Sequence, residues 1–174
     1  MTEKNIKNPT FIHLDVNSEY SIGKSVVRID ELLDECINEG IPAVGIADHG
    51  NLFSAYKVYK RAIKKGIKPI IGVTLSVQSE TSKSDYKLIL LCKDKLGYEN
   101  LSHLITRSYV EGYHLGEAKI KMKWINNKNA EGLVAISAYH EGIIQSLMLS
   151  DKENEVEKQM NFLKNNFGEN FFIG

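Results

Sequence analysis

The tetrapeptide Asp48-His49-Gly50-Asn51 is the part of the sequence best suited to chemistry. It follows the apolar run Ala43–Ala47, and a carboxylate beside an imidazole suits metal binding or proton transfer. A second interpretation fits the residues equally well, in which Asp48 and Asn51 cap a helix and His49 is partly exposed. The pattern alone leaves both interpretations open.

Further polar residues follow other apolar runs in the same way. They are His13, Asp15 and Asn17, then Thr74, then Ser137, Tyr139 and His140. Asp15 is a candidate cation ligand and Asn17 a weak neutral one, although turn formation is the favoured interpretation for both. We expect His13 to be a hydrogen-bonded core residue and His140 to lie on the surface. Because strand ends gather at one edge of a parallel sheet, these residues predict a site collected in space.

Short strands and amphipathic helices are predicted to alternate along the chain. The predicted strands are 11–14, 43–47, 69–77, 88–92, 132–137 and 171–173, and the predicted helices are 29–37, 51–66, 98–110, 143–149 and 151–167. Segment 112–129 shows no clear period, and 79–85 is predicted to be a polar loop. Strands that are apolar throughout favour parallel pairing with helices outside, as an open sheet or a partial barrel.

The predicted helix after Asn51 has one apolar and one basic face. The apolar face comprises Leu52, Ala55, Tyr56, Tyr59, Ala62 and Ile63, and the basic run comprises Lys57, Lys60, Arg61, Lys64, Lys65 and Lys68. A basic run of this kind is usually a solvated face, with weak attraction to a phosphate backbone as the alternative. No zinc spacing or helix-turn-helix pattern strengthens that alternative.

Composition excludes several classes of protein. The 174 residues carry 22 basic and 22 acidic side chains, so no sequence-wide attraction to nucleic acid or to an anionic membrane is expected. The apolar runs are too short to cross a bilayer, and no signal peptide is evident. Cys36 and Cys92 lie in apolar patterns and are expected to be reduced. These features predict a cytoplasmic α/β protein without membrane association.

Five ordered blocks resemble the PHP domain (polymerase and histidinol phosphatase) at the N-terminus of bacterial DNA polymerase III α subunits. The blocks are Phe11–Ser21, Ala47–Leu52, Gly66–Val73, Gly97–Leu101 and Gly132–Ser137, in the family's order and with similar spacing. The resemblance covers residues 11–174 and implies a distorted (β/α)7 barrel that is truncated before its last strands. Residues 1–10 are expected to form a flexible N-terminus. The run at 171–173 stops inside a strand, so we expect an excised fragment.

Metal-binding members of this family hold up to three divalent ions at the strand ends, and the resemblance implies that most of those ligands are replaced here. Asp48 and His49 keep the family residues. The replaced positions are Asp15, Asn17, Lys24, Thr74, Lys87 and Tyr139, where the family has His, His, Asp, Glu, His and Cys or His. The family's final Asp-x-His pair is expected beyond Gly174. We therefore interpret these eight positions as a vestigial metal site without catalytic residues.

The chemistry of the replacements agrees with that interpretation. A cluster of divalent cations needs several anionic or imidazole ligands, whereas a lysine ammonium repels cations and a threonine hydroxyl does not replace a carboxylate. No metal is expected, and any that binds is expected at Asp48 and His49. We hypothesise that Lys24 and Lys87 pair instead with Asp15 or Asp48.

The resemblance implies a parent protein that is a DNA-directed DNA polymerase, a nucleotidyltransferase that uses Mg2+ in DNA replication. The fragment itself is expected to bind no cofactor and to be a structural and docking module. Its expected partners are the proofreading exonuclease subunit, the remainder of the α chain and, through the parent protein, DNA. The alternative is a residual metal-dependent phosphoesterase, a 3′–5′ exonuclease or pyrophosphatase, that uses Asp15, Asp48, His49 and His140.

Overall fold

The computed structural model describes residues 11–78, 85–114, 116–151 and 153–174. The flexible N-terminus predicted for residues 1–10 and nearly all of the polar loop predicted at 79–85 lie outside these ranges. Within them, no helix is long and apolar enough to cross a membrane.

Helices and strands alternate along the described chain. The helices are α1 (Ile29–Asn38), α2 (Ala55–Lys64), α3 (Lys95–Glu111), α4 (Asn127–Ala130), α5 (Ile143–Met148) and α6 (Glu153–Phe167). The strands are β1 (Ala43–His49), β2 (Lys68–Gln78), β3 (Tyr86–Cys92), β4 (Tyr113–His114), β5 (Glu117–Lys121), β6 (Leu133–Ser137) and β7 (Phe171–Ile173). Short 3-10 turns lie at 122–124, 139–141 and 168–170.

The long strand β2 organises a single mixed sheet. Its first part, Lys68–Thr74, pairs in parallel with β1, and its last part, Ser76–Gln78, pairs in parallel with β5. On its other side β2 pairs antiparallel with β3, which pairs antiparallel with β6, and β6 pairs in parallel with β7. The described strands form an open sheet, so the predicted α/β fold with a truncated barrel-type sheet is confirmed.

Three details of the sequence-based prediction were wrong. Strand β3 is antiparallel because only residues 79–85 separate it from β2, which is too short a connection for a parallel crossover. Segment 112–129 is not irregular, since it contains β4, β5 and α4. The predicted strand at 11–14 is absent; that segment instead runs beside β1 outside any regular strand.

Helix α2 presents a different face to the sheet from the one predicted. Its buried residues are Ala55, Val58 and Ala62, whereas Tyr56 and Tyr59 are 74% and 55% exposed. Small side chains on the buried side let the helix lie close to the sheet, which places the larger apolar side chains on the outer side. The predicted burial of the two tyrosines was therefore wrong.

The segment before α1 is held against β1 by backbone hydrogen bonds. The Val16 amide donates to the Gly45 carbonyl at 3.0 Å, and the Ala47 amide donates to the Val16 carbonyl at 2.9 Å. A Cβ atom added at Gly45 would lie 2.5 Å from the Leu14 carbonyl oxygen. Gly45 therefore permits the close approach that brings the residues after Leu14 to the end of β1.

We predict that Gly45→Ala lowers the free energy of unfolding by roughly 2–4 kcal/mol, because the new methyl group meets backbone that has no room to shift. Chemical denaturation of the purified chain measures this. Gly66→Ala is the control, since Gly66 has a positive φ of 75° but no atom within 4 Å of an added Cβ. Backbone strain alone should cost about 1 kcal/mol there. Equal losses in the two variants would contradict the prediction.

Candidate functional site

The carboxylate of Asp48 lies at the end of β1 and is 1% exposed. Its Oδ1 accepts hydrogen bonds from the Ser18 amide and from the Ser21 hydroxyl, both at 2.7 Å. Its Oδ2 accepts from the Ser18 hydroxyl at 2.7 Å and from the Ser54 hydroxyl at 2.5 Å. Both oxygens are thus occupied by donors from the N-terminal segment and from the residue that precedes α2.

This geometry differs from both interpretations left open by the sequence. A carboxylate with four donors has no lone pair directed at a metal ion, so Asp48 acts as an acceptor that joins two segments of chain. The predicted helix cap at Asn51 is also not formed, because α2 begins at Ala55. The Asn51 side chain accepts from the Phe53 amide and donates to the Tyr20 and His49 carbonyls, which fixes the turn before the helix.

The imidazole of His49 contacts an ammonium group. Lys24 Nζ lies 3.3 Å from His49 Nδ1, and since an ammonium only donates, Nδ1 must accept and the ring must be neutral. Burial lowers the pKa of His49, and the positive charges of Lys24 and Lys87 lower it further. One of the two ring nitrogens is therefore held by Lys24.

Asp15 contacts the next strand of the sheet. The Thr74 hydroxyl lies 3.3 Å from Asp15 Oδ1 and 3.1 Å from the Ala47 carbonyl oxygen, and it can donate to either. Burial raises the pKa of Asp15 to about 6, an increase that the Thr74 hydrogen bond only partly opposes. Thr74 and His49 are register partners across β2 and β1, so the two predicted positions lie side by side.

Lys87 lies in a polar cluster on the last part of β2. Its Nζ donates to the Ser76 hydroxyl at 2.5 Å and to Glu117 Oε1 at 2.9 Å, and the Ser76 hydroxyl also contacts Glu117. Lys119 Nζ lies 3.8 Å from the other oxygen of Glu117 and 2.5 Å from Asp85 Oδ2. Four charged groups and one hydroxyl thus form a continuous network across β2, β3 and β5.

The charge of Glu117 is favoured by this network. Burial raises the pKa of Glu117, but the hydrogen bonds from Ser76 and Lys87 and the charges of Lys87 and Lys119 outweigh it and bring the pKa to about 2. A cleft of about 390 Å³ is lined by Lys24, His49, Ser76 and Glu117, among others. The cleft therefore contains one ammonium group, that of Lys24, and the carboxylate of Glu117, which is already paired with Lys87.

The structure corrects the partners of the two lysines. Lys24 and Lys87 were hypothesised to pair with Asp15 or Asp48, but they contact His49 and Glu117 instead. The Lys87 side chain is only 11% exposed, whereas Lys24 is exposed and contacts the site at its edge. The prediction failed on the partners because Asp48 is saturated by serines and because Glu117 lies in the segment that the sequence pattern left unassigned.

The remaining predicted positions contribute less. Asn17 is half-buried and its carbonyl accepts from the Ser25 hydroxyl at 2.6 Å. Tyr139 has a left-handed backbone, with φ of 43°, and is 56% exposed. His140 is exposed, as expected, whereas the expectation of a core position for His13 was wrong, since it is exposed and packs edge-on against Phe11.

This set of side chains does not fit a divalent metal cluster. Among the described residues, no group of three or more His, Cys, Asp or Glu side chains is arranged so that it could hold a metal ion. Both oxygens of Asp48 are occupied by hydroxyl and amide donors, and Nδ1 of His49 is occupied by an ammonium. Two lysine charges would also have to be displaced before a dication could enter.

Sequence reasoning missed Ser18, Ser21, Ser54 and Glu117. The three serines are between 0% and 3% exposed, but serine carries no burial signal of its own in a sequence. The spacing Ser18-x-x-Ser21, directly after the first apolar segment, was the only available hint. Nothing in the sequence pointed to Glu117, because its strand is too short and too polar to show an alternation of apolar and polar residues.

We predict that Asp48→Ala lowers the free energy of unfolding by about 3–5 kcal/mol, because four buried donors lose their acceptor. Asp48→Asn should cost only about 1–2 kcal/mol, since its oxygen still accepts two bonds and the serine hydroxyls can rotate to accept from its amide. Urea denaturation with and without Mn2+ measures both variants. A metal-dependent stabilisation of the unsubstituted chain that Asp48→Asn abolishes would contradict the assignment.

We predict that Asp15→Asn stabilises the chain above pH 6 and not below pH 4. The folded-state pKa of Asp15 is raised from 3.8 to about 6, so the ionised form is disfavoured in the fold and stability falls as pH rises between these values. With allowance for partial exposure, the gain at pH 7.5 should be about 1–2 kcal/mol. Denaturation at pH 3.5, 5.5 and 7.5 measures it, with the exposed Glu39→Gln as control. A gain that is the same at all three values would contradict the pKa assignment.

Comparisons with known proteins agree with the motifs. The PHP domain family matches residues 13–174. The DNA polymerase III subunit alpha of Borreliella burgdorferi is 36% identical over 94% of this chain, and those of Pseudomonas aeruginosa and Vibrio cholerae are 35% and 31% identical over 94% and 97%. The chain spans only 14–15% of the length of these relatives.

Similarity to solved structures is weaker. An amidohydrolase from Chromobacterium violaceum is 18% identical, with a TM-score of 0.45, over 56% of this chain and 32% of that one. A score of this size carries no conclusion about this chain. The assignment depends on the family match, which covers residues 13–174 and thus four of the motif blocks in full and most of the first. The chain belongs to the PHP domain family.

Proposed function

We propose that this PHP domain is part of a DNA polymerase III α subunit and serves there as a structural and docking module rather than as a metal-dependent hydrolase. The observation that carries the proposal is the saturated carboxylate of Asp48, which accepts from Ser18, Ser21 and Ser54. In a hydrolytic metal centre that carboxylate would have to face the ion. Here it holds the chain together instead.

The relatives support the proposal that this domain is part of a DNA polymerase III α subunit. Each is a DNA polymerase III subunit alpha, and each aligns with more than nine-tenths of this chain. Primer extension, the Mg2+ that it uses, contact with DNA and a cytoplasmic location are properties proposed for the parent protein. The proposed partners of this domain are the remainder of that chain and the proofreading exonuclease subunit, which supplies hydrolysis on a separate polypeptide.

The charges around His49 support the proposal that the domain is not a metal-dependent hydrolase. Lys24 holds His49 Nδ1, and Lys87 is paired with Glu117. One exposed and one largely buried ammonium group thus place positive charge near His49. A site whose charge is balanced by its own side chains has no electrostatic requirement for a bound metal.

A residual phosphoesterase remains the alternative, and one observation favours it. The pKa of Asp15 is raised to about 6 by burial, and perturbed carboxyls of this kind also occur as general acids and bases. Asp15 contacts Thr74, the register partner of His49, so an acid and a neutral imidazole both lie beside Thr74. The proposed role requires no bound Mn2+ or Zn2+, whereas the phosphoesterase alternative requires a bound metal.

Metal titration separates the two. We expect isothermal titration of the purified chain with Mn2+ and Zn2+ to show no saturable site at micromolar concentrations, and we expect no metal-dependent hydrolysis of a phosphodiester or of pyrophosphate. Lys24→Asp combined with Thr74→Glu restores two anionic side chains, and it should gain measurable Mn2+ affinity if the lysine is what excludes the ion. Saturable binding by the unsubstituted chain, abolished by His49→Ala, would establish the phosphoesterase alternative instead.

Docking is tested separately. The purified chain and the proofreading exonuclease subunit of the same organism should co-elute in gel filtration at micromolar concentrations. The same experiment with Asp48→Ala, which loosens the N-terminal segment, is the control that shows whether docking requires that segment to be folded. Separate elution of the two folded proteins would refute the docking role.

A further inference from the structure

The outer side of α2 carries a cluster of apolar side chains that no described part of the chain covers. Tyr56, Tyr59 and Ile63 are 74%, 55% and 53% exposed, and Phe53, just before the helix, is 70% exposed. Single exposed apolar residues are ordinary, but a contiguous group of large ones marks an interaction surface. Neither the site around Asp48 nor the core accounts for this cluster.

A groove runs between α2 and α3 beside this cluster. One hollow, of about 440 Å³, lies between Tyr56 and Tyr59 on α2 and Tyr98 on α3, with Pro69 and Ile71 of β2 also in its lining. An adjoining hollow of about 480 Å³ is lined by residues that include Phe53, Ile105 and Val110. Tyr98 lines both hollows, so they form one elongated groove, here termed the α2–α3 groove.

The rim of this groove on α2 is positively charged. Helix α2 has two basic rows, and the row that faces α1 is neutralised, since Lys57, Arg61 and Lys65 pair with Glu19, Asp30 and Asp34. The other row, Lys60 and Lys64, continues from Tyr56 at intervals of four residues. Neither of these two lysines has an ion pair among the described residues, and Lys60 Nζ lies 5.8 Å from the centre of the Tyr56 ring.

The opposite rim adds to this excess of positive charge. Lys93 and Lys95 line the first hollow, and Lys95 is only weakly paired, 3.6 Å from Glu99 with 90% of its side chain exposed. Asp94, the acidic residue that lines the same hollow, accepts from the Gly97 amide and caps α3. The second hollow differs, because all of its lining residues are uncharged.

We infer that the α2–α3 groove binds a short peptide segment of a partner protein, with acidic side chains that meet the lysines and apolar side chains that insert beside Tyr98. The inference rests on the proposed docking function and names the surface and the chemistry of the partner. Apolar lining that includes Pro69, Ile71, Ile105 and Val110 suits aliphatic or aromatic side chains. Single-stranded nucleic acid is disfavoured, because it needs a cationic track along its whole length and the second hollow has none.

Fluorescence anisotropy tests the inference with three probes. They are the labelled proofreading exonuclease subunit, a labelled peptide of about twelve residues that alternates Asp or Glu with Leu or Phe, and a labelled oligothymidylate of similar length. The groove variants are Tyr98→Ala and the double variant Lys60→Glu with Lys64→Glu. The controls are Phe172→Ala, an aromatic residue 53% exposed on β7, and Lys123→Glu with Lys128→Glu, which make the same charge change elsewhere.

The expected result is that the exonuclease subunit and the peptide bind the unsubstituted chain and both controls alike. Each groove variant should weaken binding of both probes by about tenfold, as for a central aromatic or charged anchor. Added salt should weaken peptide binding to the unsubstituted chain more than to the lysine double variant.

Other results overturn the inference or the proposed function separately. If the exonuclease subunit binds both groove variants as well as the unsubstituted chain, the groove assignment fails and the docking function stands. If that subunit binds none of the proteins, docking fails, and the peptide alone then decides the groove: binding that Tyr98→Ala weakens supports it, and no binding overturns it. Tighter binding of oligothymidylate than of the peptide, lost in the lysine double variant, would replace the peptide with single-stranded nucleic acid.

Discussion

The buried carboxylate of Asp48 is the interaction on which the N-terminal half of this fold depends. A charge that is 1% exposed is costly unless it is fully hydrogen-bonded, and here four donors satisfy it. Those donors come from the segment before α1 and from the residue before α2, so the carboxylate joins both to the end of β1. Any change that redirected Asp48 toward a metal ion would release the segment that Gly45 and Val16 hold beside the strand. The residue cannot serve both roles.

Lys24 and Lys87 affect the charge balance of the site in a way that also disfavours a metal ion. A metal centre concentrates carboxylates and imidazoles and relies on the bound ions to offset them, so its stability follows the supply of metal. Lys24 and Lys87 bring positive charge on the chain itself, and neither ammonium can dissociate from the site. Lys87, together with Ser76 and Lys119, lowers the pKa of Glu117 to about 2. A domain built in this way does not need divalent ions to balance the charge of the site, which fits the proposed structural role.

The sequence predicted most elements and their order, because apolar period and turn residues report local structure directly. It also placed Asp48, His49 and Thr74 at one edge of the sheet, to which the family resemblance added Lys87. The sequence could not predict the contacts among them. Hydrogen-bond partners such as Ser18 and Ser54 are distant in sequence, and serine carries no burial signal of its own. The antiparallel course of β3 and the position of Glu117 were missed for a related reason: both depend on the path of the chain between strands rather than on the pattern within one.

Helix α2 shows why an error of this kind is informative. Its apolar pattern predicted a buried stripe containing Tyr56 and Tyr59, and a period of this kind identifies which side chains share a face but not what covers them. The sheet is covered instead by Ala55, Val58 and Ala62, whose small size brings the helix close. An apolar stripe that the sheet does not cover has two physical outcomes, exposure to water or burial against another molecule. The row of lysines beside it has no ion pair among the described residues, whereas the neighbouring row is neutralised, and this favours the second outcome and an acidic partner.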